Sequence, residues 1–576
     1  MENLPIISRK KLRKTIEVTL PDGRIFSGPR GTCLEAFMKV LPEWDNPQIV
    51  GAVVNGDLRE LTYPLMMDAK VTPLAMNSAD GARIYRRSLT FLLVAAFDGL
   101  FPNFKLTVDH SVSSGGYFCQ VSGREQLTFK ELEQLDAHMH TLVSENLPFI
   151  RKVVPLTEAV EYFEKNGYTD KVRLLKYRQK DNLVLYSLKE HRDYFHGYMV
   201  PSTGYLHWFG LTWIKGGFIL RYPRRHAPDE LLPMPDYSKL LKTFTQYGAW
   251  LQRLGIENVG QLNDGLHGEH QQEIILVSEA LHEQKIAEIA RKIVDRSKTA
   301  RIVLIAGPSS SGKTTFSKRL AIQLLAYGIS PFALELDNYF VSREETPLDE
   351  NGEYDFESLQ ALDIGLLEEN LTNLAGGREV QLPHFDFRKG RSSPGEVVKL
   401  SADELIILEG IHGLNPNLLP HVPEENTFRI YISCLTQLNL DRHNRISTTD
   451  TRLIRRIVRD ARERGYSAAD TIGRWESVRR GEKRNIFPYQ ENADEMFNSA
   501  LAYELSALKP LAEPLLRQVA HGSQEYIEAK RLLAFLEWFQ PVTMENIPDN
   551  SILREFTGGS ILRDFKLWDR PQINNF

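Results

Sequence analysis

The sequence predicts a multidomain chain, with an α+β N-terminal half followed by an α/β C-terminal domain built on a parallel sheet. Three observations carry this expectation. At 576 residues the chain exceeds what one hydrophobic core supports, so three or four domains are expected. The first 225 residues mix alternating strands, turns and isolated helices, as an α+β unit does. From Ala300 onward apolar strands alternate with helical segments, the signature of a parallel sheet covered on both faces.

Taken in order, residues 1–14 hold a basic cluster at 9–14, lack an apolar stretch long enough for a signal peptide, and are expected to form a solvated tail. Ile16-Glu17-Val18-Thr19-Leu20 alternates, turns at Pro21-Asp22-Gly23 and resumes at Arg24-Ile25-Phe26, which predicts a hairpin. A short helix over 32–40 and a strand and turn at Val53-Val54-Asn55-Gly56-Asp57 complete a small unit that reads as a β-grasp domain over 15–75. A second α+β domain is expected over 76–225. Its apolar run at 89–97 ends at Asp98, too short for a membrane span, and predicts a buried helix. Turn-rich strands around 113–118, a charged helix over 128–146 and aromatic strands up to Tyr222 follow. Pro223-Arg224-Arg225-His226-Ala227-Pro228 marks a boundary, and 226–299 reads as a helical linker or packing layer. In the α/β domain over 300–545 the strand candidates are 302–306, 332–336, 405–408 and 428–432, with helices filling the gaps. Residues 546–576 are expected to be a C-terminal tail.

Composition excludes several classes. A hydrophobic share of 42%, a charged share of 25% and a mean hydropathy of -0.31 describe a soluble globular chain with no membrane association. A net charge of -5 gives no global attraction to nucleic acid. Cys33, Cys119 and Cys434 are scattered without metal-ligand spacing, which fits a reducing cytoplasm.

The chemistry is concentrated in Gly307-Pro308-Ser309-Ser310-Ser311-Gly312-Lys313-Thr314, which fits G-x-x-x-x-G-K-[ST] and stands between an apolar β-branched run and a helical segment beginning at Thr315. In a strand-loop-helix of this kind the loop amides and helix N-terminus face an anion, Lys313 reaches the β and γ phosphates of a nucleoside triphosphate, and the Thr314 hydroxyl can ligate Mg²⁺. Asp337 follows the next strand, which is expected to neighbour the P-loop strand. A carboxylate there can take the proton of an attacking hydroxyl, or it can simply cap a helix. Glu409 ends the strand at 405–408, as an acid holding Mg²⁺ would. Arg452, Arg455, Arg456, Arg459, Arg462 and Arg464 recur at helical spacing, either as a solvated face or as a lid whose guanidinium groups offset phosphoryl charge. No N-K-x-D string stands downstream, which weakens a GTPase reading.

These elements, with Asp337-Asn338-Tyr339, Tyr354-Asp355-Phe356, His384-Phe385-Asp386-Phe387, Leu408-Glu409-Gly410-Ile411 and Arg455-Arg456-Ile457-Val458-Arg459-Asp460, resemble the uridine kinase branch of the P-loop kinases, close to phosphoribulokinase, over about residues 300–511. The resemblance implies an ATP- and Mg²⁺-dependent kinase acting on a nucleoside. It implies Asp337 as general base, Asp355 and Arg456 as partners of the ribose hydroxyls, and Arg459 and Arg464 as phosphate-contacting lid residues. It also places Tyr339 and Phe385 at the substrate, with 307–315 including Thr315 on the ATP. The chain departs from the family at Phe385, which stands where the family has a tyrosine, and in the following Phe387-Arg388-Lys389-Gly390-Arg391, where the family's downstream histidine is missing. Pyrimidine, purine and non-nucleoside alcohol acceptors therefore stay open. The segment Asp441-Arg442-His443-Asn444-Arg445 is longer than the family predicts.

The N-terminal half, through Asp80-Gly81-Ala82-Arg83, Ser114-Gly115-Gly116-Tyr117-Phe118 and Met199-Val200-Pro201, resembles the N-terminal part of threonyl-tRNA synthetase, its TGS domain followed by its editing-type domain. Where that family carries paired editing residues, this chain has Arg87 with Phe91 and Phe195 with Met199, which implies no aminoacyl-tRNA hydrolysis. His191, His196 and His207 lie nearby, as surface or core histidines rather than a replacement metal site. Three roles stay open for this half: binding RNA, which the charge balance does not support, sensing a small ligand, or forming a packing surface in a homo-oligomer.

Overall fold

Alternation shapes the first unit. In the strand Thr15–Thr19, Ile16 and Val18 are buried while Glu17 is exposed, and the strand pairs antiparallel with Ile25–Pro29 across a turn whose Gly23 has a φ of 87°. The computed structural model describes residues 13–565 except 113–114, 236, 349–351, 353, 387–388 and 402–403. Most of the expected basic tail, the serines of the expected turn at 113–114, and Phe387 and Arg388 therefore lie outside the described residues. The hairpin joins Ala69–Ala75, Ile49–Val54 and Asp57–Arg59 in a mixed five-stranded sheet, with Thr15–Thr19 parallel to Ala69–Ala75 and the helix Leu34–Met38 packed beside it.

The next unit is organised by the helix Ala79–Leu100, capped by the Ser78 hydroxyl on the Gly81 amide and buried from Ser88 to Val94. Among the described residues no helix is long and apolar enough to cross a membrane. A four-stranded antiparallel sheet, a three-stranded sheet and the helix Phe129–Ser144, with its Thr128–Glu131 capping box, complete this unit. Helices Ser238–Arg253, Val259–His267 and Gln271–Arg296 form a packing layer. Ile286, Ile289, Ala290 and Ile293 of the last are buried in one continuous core with the C-terminal sheet.

In chain order the C-terminal domain comprises β1 (Ile302–Ala306), α1 (Lys313–Ala326), β2 (Ser330–Glu335), α2 (Ile364–Ala375), β3 (Glu379–Asp386), β4 (Arg391–Lys399), β5 (Glu404–Glu409), β6 (Thr427–Ser433), α3 (Thr448–Arg464), α4 (Ala468–Asn485), β7 (Glu495–Asn498) and α5 (Glu504–Arg517). Its sheet runs β2-β5-β1-β6-β7, entirely parallel. All five β1 residues are buried, as the apolar run predicts for a strand covered on both faces.

Four expectations need correction. The segment between β2 and β5 is not filled by helices alone, because β3 and β4 form an antiparallel hairpin. Strand β7 was not among the candidates. The strand leading to Asp337 does not neighbour β1, since β5 lies between them. Residues 546–565 are no tail: Ile552, Leu553 and Phe556 are fully buried against the C-terminal domain.

The long segment before α3 joins the two halves. The Asp441 carboxylate accepts from Lys171 Nζ at 2.9 Å and from the Tyr194 hydroxyl at 2.7 Å, and all three side chains are buried. Asp193 lies 2.9 Å from the same ammonium and 2.7 Å from His443 Nδ1. Asn439 donates to the Val108 and Asp109 carbonyls, and the Val108 amide donates to the Arg442 carbonyl at 2.8 Å.

Candidate phosphoryl-transfer site

Register brings the site together. Ile305 of β1 pairs with Glu409 of β5, which pairs with Glu335 of β2, so the P-loop, Glu409 and Asp337 leave the sheet at one rim. Ligands in such sheets sit outside these carboxyl ends. The P-loop turns through left-handed backbone at Ser310 and Gly312, with φ of 58° and 86°, and delivers α1 at Lys313. A turn of this kind aims successive amides at an anion. The Ser310 and Ser311 hydroxyls are buried and unpartnered among the described residues, which fits an oxyanion between them. Gly307 and Pro308 accept from Lys313 Nζ through their carbonyls, at 3.0 and 3.3 Å.

The Thr314 hydroxyl donates to Glu409 Oε1 at 3.0 Å, so the two expected metal ligands stand side by side. Burial lowers the Lys313 pKa, against the pull of Glu409, Glu555 and Glu482. Burial raises that of Glu409, with Lys313 opposing. A hard oxygen pair beside an ammonium fits Mg²⁺ and a polyphosphate better than either partner alone.

Asp337 lies in a turn over Leu336–Tyr339 that begins without a side-chain cap. The residue is exposed at the rim, yet crowding by the surrounding protein, then Glu335, pushes its carboxyl above the usual range, and Lys313 opposes. Tyr339 is only 1% exposed and its hydroxyl accepts from Asn370 at 3.2 Å, so it is a core residue rather than the substrate contact expected. Phe385 is buried as well, its ring centroid 5.6 Å from that of Phe340. Asp355 accepts from Arg484 Nη2 at 2.6 Å. Beside it stands a carboxyl that the motifs had not singled out, Glu357, pushed up to about 7 by burial and then by Glu482 and Asp355.

The arginine run divides. Arg452 and Arg455 are buried and paired with Glu482 and Glu504, and their guanidinium groups donate to the Ser309 and Ser310 carbonyls at 3.0 and 3.3 Å. They brace the P-loop from behind. Arg456 donates to the Ser309 hydroxyl at 2.9 Å, which puts it on the P-loop and not on the ribose hydroxyls as expected. Arg456, Arg459 and Arg464 converge on the buried Asp460, at 3.1, 3.0 and 3.4 Å. Glu482 also accepts from the Ser309 amide at 3.1 Å, and Glu555 from the Thr315 amide at 3.1 Å.

In the N-terminal half the positions of the editing pairs are packed solid. Phe91 meets Phe149, His191 and Phe195 at 5.3 to 5.7 Å between centroids, Met199 is buried, and Arg87 donates to the Tyr198 carbonyl at 2.6 Å. His191 Nδ1 sits 3.1 Å from Asp98, and His207 packs against Trp208.

Comparison with known proteins agrees with this division. Residues 302–505 match the model of the Phosphoribulokinase / Uridine kinase family. Threonine–tRNA ligase of Methylococcus capsulatus is 32% identical over 240 residues, 41% of this chain and 36% of that protein. The enzyme of Desulforamulus reducens is 29% identical over 204 residues, 35% of this chain and 32% of that protein. The chain thus spans about a third of the length of these curated relatives. A solved D-glycerate 3-kinase of Cryptococcus neoformans is 15% identical, with a TM-score of 0.28 over 37% of this chain and 89% of that one. Residues 302–505 form a phosphoribulokinase/uridine kinase family domain, carried on an N-terminal half homologous to threonine–tRNA ligases.

Proposed function

We propose that this chain is an ATP-dependent nucleoside kinase that transfers the γ-phosphoryl group to a 5′-hydroxyl. The observation that carries the reading is the contact of Thr314 with Glu409 beside Lys313, at the rim that also holds Asp337. Mg²⁺ bound by Thr314 and Glu409 would neutralise phosphate charge. The P-loop amides and Lys313 hold the phosphates, and Arg459, freed from Asp460, offsets charge on the transferring group together with Arg464. Asp337 orients the acceptor hydroxyl and takes its proton, which its raised pKa suits. Asp355 and Glu357 line the acceptor side. Residues 15–75 are read as a TGS-type β-grasp domain, and the second unit as a scaffold without editing chemistry.

The test is a mass-spectrometric acceptor screen with ATP and Mg²⁺, run on wild type and Asp337→Asn. Wild type is expected to phosphorylate a nucleoside, and the variant to bind ATP while losing about 10²–10⁴-fold in turnover. Phosphorylation of a sugar-type alcohol and no nucleoside would overturn the acceptor assignment; a fully active variant would overturn the base.

A further inference from the structure

We propose that the C-terminal segment 548–563 is a latch on the donor site, in which the Glu555 carboxylate holds a P-loop amide that a nucleotide phosphate needs. The proposal rests on the reading of the P-loop as a triphosphate site. Glu555 Oε2 accepts from the Thr315 amide at 3.1 Å, in the first turn of α1. An anion belongs at that position, and here the chain supplies one itself.

The backbone of the segment is fixed. Lys318 Nζ donates to the Leu562 and Arg563 carbonyls at 2.7 and 2.8 Å, and Arg462 donates to the Glu555 carbonyl at 3.1 Å. Arg554 donates to the Met544 and Ile547 carbonyls at 2.8 and 2.6 Å, while Ile552 packs so closely on Gly312 that a Cβ there would meet its Cγ2 at 2.5 Å. The carboxylate itself is not fixed. Among the described residues it closes no salt bridge, feeling Lys313 and Arg455 only at longer range, and Glu555 is only partly buried, so the side chain can swing out while the backbone stays. Glu482 differs: it also takes a loop amide, but Arg452 and Arg479 hold it at 2.9 and 3.5 Å inside the protein.

A phosphate and the Glu555 carboxylate would compete for one N–H and repel each other beside Lys313, so the apparent donor Kd is the intrinsic one divided by the unlatched fraction. The experiment is calorimetric titration of the full chain with MgATP, comparing wild type, Glu555→Ala, Glu555→Gln and Glu545→Gln. Glu545 is exposed just before the segment and serves as the control for a general change of charge. Both Glu555 variants are expected to bind about tenfold tighter, the size of one displaced charge-assisted hydrogen bond, with Glu545→Gln unchanged. Glu555→Gln keeps the shape of the side chain and decides the matter if Glu555→Ala does not fold. An unchanged Kd in the Glu555 variants overturns the latch alone, and equal tightening in all three variants replaces it by a field effect. Binding to none of the proteins overturns the triphosphate-site reading and the latch with it.

Discussion

In the proposed reaction Glu357 is the residue that tunes the acceptor side. Its carboxyl titrates near 7 because burial, then Glu482 and Asp355, disfavour the charge. A carboxylate there accepts from acceptor hydroxyls and the neutral acid does so poorly, so acceptor KM is expected to fall as pH rises through about 7. Glu357→Gln should flatten that dependence in steady-state assays, and a wild-type KM that is flat from pH 6 to 8 would rule the role out. Residues with motif chemistry were legible: Lys313 and Thr314 follow from the P-loop pattern, Glu409 and Asp337 from strand-end positions, and they meet at one rim. Glu357 was not, being one more acid after Asp355. The signal was Gly481, a glycine inside a helical pattern, where a Cβ would collide with the Glu357 carboxylate. Tyr339 was misassigned for the opposite reason. A tyrosine beside a catalytic acid reads as a contact, and only packing shows that its hydroxyl serves Asn370.

Elements carry a different kind of information. The periodicity of α3 was plain, but six arginines on one helix do not say which face meets carboxylates supplied by α4 and α5. Arg455 is fully buried against Glu504, so Arg455→Leu strands a buried charge and is expected to cost about 3–5 kcal/mol, visible as a lowered Tm and a loosened P-loop. A melt within 1 °C of wild type would show that the pair does not brace the fold. The β3–β4 hairpin escaped notice because Pro383 stands opposite Pro394 at a register shift, which breaks the alternation that marks a strand. The order of strands was illegible for a topological reason: β5 arrives about seventy residues after β2, then inserts between it and β1.

Over the whole molecule, buried histidines make stability fall on the acid side. Burial lowers His282 from 6.5 to about 3, with Arg319 adding, and lowers His412 to about 4. Both folded-state values lie below the unfolded one, so below pH 6.5 the unfolded chain takes up protons first. The stability they contribute is whole above 6.5 and drains away as pH falls toward 4 and 3, by about 1.4 kcal/mol per pH unit for each histidine. Asp193, held at about 2 against burial by Lys171 and then His443, adds a loss only below its unfolded 3.8. Calorimetry from pH 7.5 to 4.5 should show a falling Tm, with a shallower slope in His282→Gln; parallel slopes would exclude the assignment. The buried contacts of Asp441 with Lys171 and Tyr194 also bear on how the chain is made. A ribosome releases Lys171 about 270 positions before its partner, so the early half emerges with an ammonium and an aspartate awaiting a loop that does not yet exist. Folding of the chain therefore includes a docking event in which a later-made loop completes a site laid down by an earlier one.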